Sequence, residues 1–400
     1  MIKKTLLCSA IVAATAMTSL AHAEVKLGFL GGFTGPIESL APPIFSGAQL
    51  AISQINEQGG ILGGQTLSII SADTTCTDAS AAINAADRMI NSENVTAIVG
   101  ALCSGATIAS ANNVAVPAGV LMVSPASTSP AIAEIDDNDL VFRTTPSDAY
   151  QGEVLARLLL SKGIDEVAMT FVNNDYGQGL ANAFSSNFEA GGGVIAGRAA
   201  HEDGRADYRS ELGSLASSGA ETLLVLAYAD TSGQTILRQA YESGMFTQFI
   251  GADGMVGDAL VNAVGADVLE GMIATRPGKP DIPGTESYAE AARAAGMDPN
   301  AVFASQAYDA AFLIALAIEK NGSADRAGLN EALRAVALPP GEVILPGEWS
   351  KAVELIAQGV EINYEGAAGT QDFDERGNVP GVIEEMVVRD GAFRTVGLIE

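Results

Sequence analysis

Residues 24–71 read EVKLGFLGGFTGPIESLAPPIFSGAQLAISQINEQGGILGGQTLSIIS, and the spacing of their apolar residues changes twice. Val25–Leu30 is an apolar run of strand length, Ile44–Gln58 repeats apolar residues at helical spacing, and Leu67–Ser71 is a second strand-like run. Gly59-Gly60 closes the helix between them. Strand, helix and strand of these lengths make a βαβ unit, the building block of a parallel sheet covered by helices.

The same rhythm continues outward from this stretch. Helix Ser80–Asn91, strand Ala97–Val99, helix Gly105–Ala115 and strand Val120–Ser124 follow, and a first α/β unit ends near Val141–Arg143. A second series starts at Asp148 with helix Tyr150–Ser161 and strand Val167–Val172 and runs to strand Met272–Thr275. Arg276–Gly284 holds three prolines and two glycines and reads as a connection between bodies. Three helical patterns come next, at Glu286–Ala295, Ser305–Glu319 and Ala327–Val336. Their apolar faces need a sheet to cover, so the chain is expected to return to the first body. It crosses again near Gln371–Phe373 and ends in a hairpin-like pair, Val382–Val388 and Phe393–Leu398, turning at Asp390-Gly391.

Composition excludes several function classes. The 400 residues carry 21 Lys+Arg against 48 Asp+Glu, a net charge of −27 that repels phosphate backbones and anionic lipid, so nucleic acid is not expected as a partner. Histidine occurs only at His22 and His201, which removes most His-based triads and zinc sites. No metal or other cofactor is expected. The first 23 residues place Lys3 and Lys4 before an apolar and small-residue run and end in Ala21-His22-Ala23, the pattern of a secretory signal peptide cleaved after Ala23. Cleavage removes both lysines and takes the charge to −29. Two cysteines then remain, Cys76 and Cys103, an even pair in an exported chain and so an expected disulfide.

The candidate binding residues sit where strands end. Gly28–Gly35 is glycine-rich but lacks both the G-x-G-x-x-G and the Gly-Lys-Ser/Thr patterns, so it reads as a permissive loop and not a phosphate cradle. Ser104 follows Cys103 at a helix start, where it serves equally as an N-cap or as part of a carboxylate site. Ser124–Pro130 is a second hydroxyl-rich loop. In the second series, Tyr176 and Tyr228 offer a face and a polar tip to a small ligand. Asp175 and Asp230 beside them read as helix caps. Asp253, between small residues in Gly251-Ala252-Asp253-Gly254, suits an ammonium group. His201 reads as a solvated loop residue.

These residues, in this order, resemble the leucine/isoleucine/valine-binding protein family, the type I solute-binding proteins of branched-chain amino acid ABC transporters. The likeness runs through Thr34-Gly35-Pro36, Ile55-Asn56 with Gly59-Gly60-Ile61, Gly100–Ser104, Ser124-Pro125-Ala126, Phe142–Thr145, Asp175–Gly179 and Gly251–Gly254. The resemblance implies an α/β fold of two doubly wound lobes joined by a three-segment hinge. Lobe one would comprise 24–143 and 277–370, and lobe two 144–276 and 371–400. It implies that Cys76 pairs with Cys103. It also implies that Ser104, Ala126 and Thr128 hold an amino acid's carboxylate, that Asp253 receives its ammonium, and that Tyr176 and Tyr228 close over it. Leu40 and Tyr150 are expected as pocket wall.

Two positions depart from the family pattern. Leu40 stands where the family has tyrosine, and Asp253 where the branched-chain binder has glutamate, so the side-chain pocket is altered. The segment Leu338–Gly369 is longer than its counterpart. The expected protein is a monomeric periplasmic binding component that performs no chemistry. It captures an apolar or aromatic α-amino acid by hinge closure and hands it to an inner-membrane permease. The competing readings are a sensor for an amide, urea or aromatic acid on the same fold, and an extracytoplasmic hydrolase, for which no G-x-S-x-G elbow exists.

Overall fold

The computed structural model describes residues 24–399, so the signal-peptide segment lies outside the described residues. Five strands form a first, all-parallel sheet, ordered in space Thr66–Asp73, Glu24–Gly31, Ala97–Gly100, Met122–Ser124, Val141–Arg143. A second sheet has seven strands. Five are parallel, Val194–His201, Glu166–Val172, Thr222–Leu226, Gln248–Gly251 and Ile273–Pro277, and the antiparallel pair Ile383–Arg389 and Ala392–Ile399 extends it at one edge. Asp390 and Gly391 make the tight turn of that pair at φ 51° and 72°, as their sequence predicts.

The chain passes between the sheets three times. After Ile273–Pro277 it returns to the first sheet, where helix Ala304–Asn321 packs on strands Ala97–Gly100 and Met122–Ser124. Fifteen consecutive residues of that helix, Ala304–Ile318, are buried, because it lies between the sheet and helix Ala41–Glu57. The two helices meet at Gly47, where a β-carbon would fall 2.1 Å from the Ala304 carbonyl oxygen; only glycine permits this approach.

The long segment after residue 337 folds onto the same body. It forms a small parallel pair, Glu342–Ile344 with Ile362–Tyr364, and a helix, Trp349–Ala357. Trp349 is fully buried, edge-on to Phe312, with its indole donating to the Gly60 carbonyl at 2.9 Å. Asp309 anchors the end of the segment. Its carboxylate accepts from Tyr364 Oη, the amides of Ala367 and Ala368, and Gln371 Nε2 at 2.7–3.1 Å.

One local expectation is corrected and one is met. His201 is not in a solvated loop: it ends strand Val194–His201, is 2% exposed, and pairs its Nδ1 with Thr170 Oγ1 at 2.7 Å. Burial pushes its imidazole down to about 4, so it stays neutral. Cys76 and Cys103 form the expected disulfide, Cα atoms 5.3 Å apart, and it ties the loop after Thr66–Asp73 to the start of helix Ser104–Ser110.

Candidate functional site

The parallel strands of both sheets direct their carboxyl ends toward the cleft, the position where open α/β sheets bind ligands. From the first body come the segment after Glu24–Gly31, with Ile37, Leu40 and Ile44, the turn Leu102–Ser104, and Ala126. The second body brings Tyr176, Tyr228, Asp253 and Gly254, each just after a parallel strand. Phe303 arrives on the returning chain in the left-handed conformation, φ 59°, immediately before helix Ala304–Asn321.

These residues enclose one cavity of about 30 Å³, room for little more than a water. Apart from the two tyrosines, its polar side chains are one from each body. The first body gives the Ser104 hydroxyl, 2% exposed, which accepts the Ser129 amide at 3.2 Å and keeps its own proton free to donate. The second gives Asp253. Its Oδ1 accepts from Gln151 Nε2 at 2.9 Å and Tyr176 Oη at 3.1 Å; among the described residues nothing donates to Oδ2. Burial pushes the Asp253 carboxyl up to about 6, against the pull of its hydrogen bonds to Tyr176 and Gln151. Tyr176 and Tyr228 stack with centroids 5.3 Å apart. Burial raises both phenols, so they act as neutral donors and acceptors.

The lobes touch across this cleft. Asp230 Oδ2 accepts the Ser39 amide at 2.8 Å and the Asp230 amide faces the Pro36 carbonyl at 3.4 Å. Ser129 Oγ donates to the Asp175 carbonyl at 2.9 Å. A β-carbon at Gly105 would lie 2.9 Å from Asp175 Oδ2, so glycine there lets the second body approach.

A sequence profile of the periplasmic binding protein family matches residues 24–351. The chain belongs to that family. It is 32% identical to the leucine-, isoleucine-, valine-, threonine- and alanine-binding protein of Pseudomonas aeruginosa over 81% of this chain and 86% of that one. With the Leu/Ile/Val-binding protein of Escherichia coli it shares 30% identity over 83% and 88%. A leucine-binding protein of Thermotoga maritima superimposes with a TM-score of 0.80 at 26% identity, covering 94% and 99% of the two chains. The two-lobed type I fold and the binding-protein class, as opposed to an enzyme, stand on these comparisons together with the sheets described above.

Within this periplasmic binding protein, the expected site residues are distributed as follows. Ser104, Ala126, Tyr176, Tyr228, Asp253 and Leu40 line the one cavity. Tyr150 does not: it lines a separate groove of about 610 Å³ on the hinge side, with Arg143, Pro146 and Asn378. It lies in the first turn of helix Asp148–Ser161, where Asp148 and Gln151 take the buried face and Tyr150 stays part-exposed. Thr128 is buried behind the loop and its hydroxyl has no partner. Ser104 is no N-cap; it is the first helical residue. Nor do Asp175 and Asp230 cap. Asn174 caps the first helix through Gly177, and Asp230 reaches across the cleft instead.

Three residues at the site have no role assigned from the sequence, although Arg143 lies in the Phe142–Thr145 stretch that carries the family likeness. Gln151 orients Asp253 from the helix Asp148–Ser161. Arg143, buried, donates through Nη1 to the carbonyls of Thr128 and Ser129 at 2.8 and 2.9 Å and through Nε to Asn378, and so fixes the hydroxyl-rich loop. Phe303 lies 177 residues beyond Ala126, the nearest in sequence of the other wall residues of its body. Its only sequence signal is its place before a nearly all-apolar helix.

Proposed function

We propose that the protein captures an α-amino acid with an apolar side chain and delivers it to an inner-membrane ABC permease. One observation carries this reading: the same cleft cavity is lined by an acidic side chain from one body, a hydroxyl donor from the other, and aliphatic and aromatic residues around them. Asp253 Oδ2 would take the ammonium. Ser104 and the loop around Ala126 and Thr128 would take the carboxylate, and Ile37, Leu40, Ile44, Leu102 and Phe303 the side chain. The wall holds no base, so an acidic side chain would find no partner, and a cationic one would meet only Asp253.

The cavity is far smaller than any amino acid, so the solute enters with the lobes apart and is enclosed as they rotate about the three crossings. We place the lobes at 24–143 with 277–370 and at 144–276 with 371–400. The mature chain would begin at Glu24 and act as a periplasmic monomer. The amino-acid specificities in the names of the Pseudomonas and Escherichia relatives support the ligand class. A thermal-shift screen over the amino acids, followed by calorimetry, tests it: leucine, isoleucine, valine or a similar apolar amino acid should raise the melting temperature. No response to any α-amino acid would overturn the reading.

A further inference from the structure

Asp148 is the first residue of helix Asp148–Ser161, directly after the first crossing between the lobes. It is 0% exposed, and neither carboxyl oxygen has a hydrogen-bond partner. Its amide donates to the Thr128 carbonyl at 2.8 Å, which brings its side chain against the Thr128 hydroxyl, itself buried and unpartnered. The Thr145 hydroxyl and Gln151 Oε1, three residues to either side of Asp148, are also buried without partners.

An ionised carboxylate in this position would be strongly disfavoured. Arg143 is the one cation acting on it, and that guanidinium is committed to the carbonyls of Thr128 and Ser129 and to Asn378, without an ion pair to Asp148. The other titratable groups that act with Asp148 are Asp253, which repels a second negative charge, and the phenols of Tyr176 and Tyr228. While Asp148 is ionised, the buried unpartnered atoms on this stretch are three acceptor oxygens, two of its carboxyl and one of the Gln151 amide, against two threonine hydroxyls. The cluster is short of a donor, and a proton on Asp148 supplies it.

We infer that Asp148 is kept as a neutral carboxylic acid that donates to Thr128 Oγ1, making it a positioning residue for the carboxylate-binding loop. The consequence is a choice of polarity. With its oxygen occupied by the Asp148 proton, the Thr128 hydroxyl must send its own proton onward and acts as a donor, suited to a ligand carboxylate. Were Asp148 ionised, it would draw the threonine proton to itself, and Thr128 would present lone pairs that repel that carboxylate. This step rests on the amino-acid reading above; the protonation of Asp148 does not.

Two measurements test it. In the unliganded protein at pH 7, an infrared difference spectrum between wild type and Asp148→Asn should contain the carbonyl band of a protonated carboxylic acid. In calorimetry with leucine, Asp148→Asn, whose amide also donates, should bind within about threefold of wild type, and Asp148→Ala at least tenfold more weakly. Absence of the band overturns the inference, as does Asp148→Asn losing as much affinity as Asp148→Ala, or Asp148→Ala binding like wild type. Should Asp148→Ala fail to fold, the band and Asp148→Asn decide. Should wild type ignore leucine and every other amino acid, the ligand reading fails while the band still reports on Asp148.

Discussion

Asp230 and Ser39, 191 residues apart in sequence, are joined across the cleft by a 2.8 Å hydrogen bond from the Ser39 amide to the Asp230 carboxylate. Neither side chain lines the cavity, so the bond contributes to closure without touching the solute. It exists only when the lobes are together, and anything present in one of two states shifts the equilibrium between them. A part-buried bond to a charged acceptor is worth about 1–2 kcal/mol. Asp230→Ala should therefore weaken solute binding by about tenfold and speed release, with the contacts to the solute intact. Calorimetry and stopped-flow release would check this. Unchanged affinity and release would mean that the bond does not hold the lobes.

With Asp253 as the proposed ammonium acceptor, binding should depend on pH. Burial holds its carboxyl up at about 6, and the ionised form is the one that would receive an ammonium group. Acidification through that value removes the anion. Affinity should be level near neutrality and fall by up to about tenfold per pH unit below about 6. Asp253→Asn should lose at least tenfold at pH 7 and show a flat profile in this range. If wild type binds equally at pH 5 and pH 7.5, the ammonium is held elsewhere.

The reach of the sequence at this site divides along one physical line. Strand and helix periods are local, so Glu24–Gly31, Ala41–Glu57 and the terminal hairpin were legible from a few residues each. Tyr176, Tyr228 and Asp253 were legible for a related reason, since each directly follows an apolar strand and strand ends meet the cleft. Asp175 and Asp230 share that position, and there the local rule misled: an aspartate before a helix looks like a cap until the other lobe is in place. Asp148, Gln151 and Arg143 do their work through partners brought together only by the crossings between lobes. Nothing in the neighbouring sequence distinguishes Asp148 and Gln151 from ordinary helix residues, and the family likeness through Phe142–Thr145 marks Arg143 without giving it a role.

Asp309 should be worth more to stability than any surface charge. It is fully buried in helix Ala304–Asn321 and gathers four donors, three of them from the segment 364–368 and one from Gln371. Asp309→Ala leaves those donors without acceptors and should cost about 3–5 kcal/mol. Asp309→Asn keeps one acceptor oxygen but turns a donor toward donors, and should cost about 1–3 kcal/mol. Denaturant unfolding of the two variants measures both. A loss below about 1 kcal/mol in Asp309→Ala would show that the 364–371 segment is held by its packing alone.

Leu40 is placed to limit the size of the solute. It lines the cavity and also an outer groove of about 500 Å³ that runs between the bodies past Val256 and Arg276. Across the cleft it meets Gly257, where a β-carbon would stand 3.4 Å from Leu40 Cδ2, so its side chain is the partition between the two spaces. Leu40→Ala removes that partition. A small aliphatic solute loses a buried contact worth about 1–2 kcal/mol and should bind roughly tenfold more weakly. A phenylalanine- or tryptophan-sized solute can extend into the opened groove and should lose little or gain. A thermal-shift panel of valine, leucine, phenylalanine and tryptophan on both proteins would show the order of preference move toward the larger rings. If all four fall by the same amount, Leu40 contributes packing to the closed state and does not select the side chain.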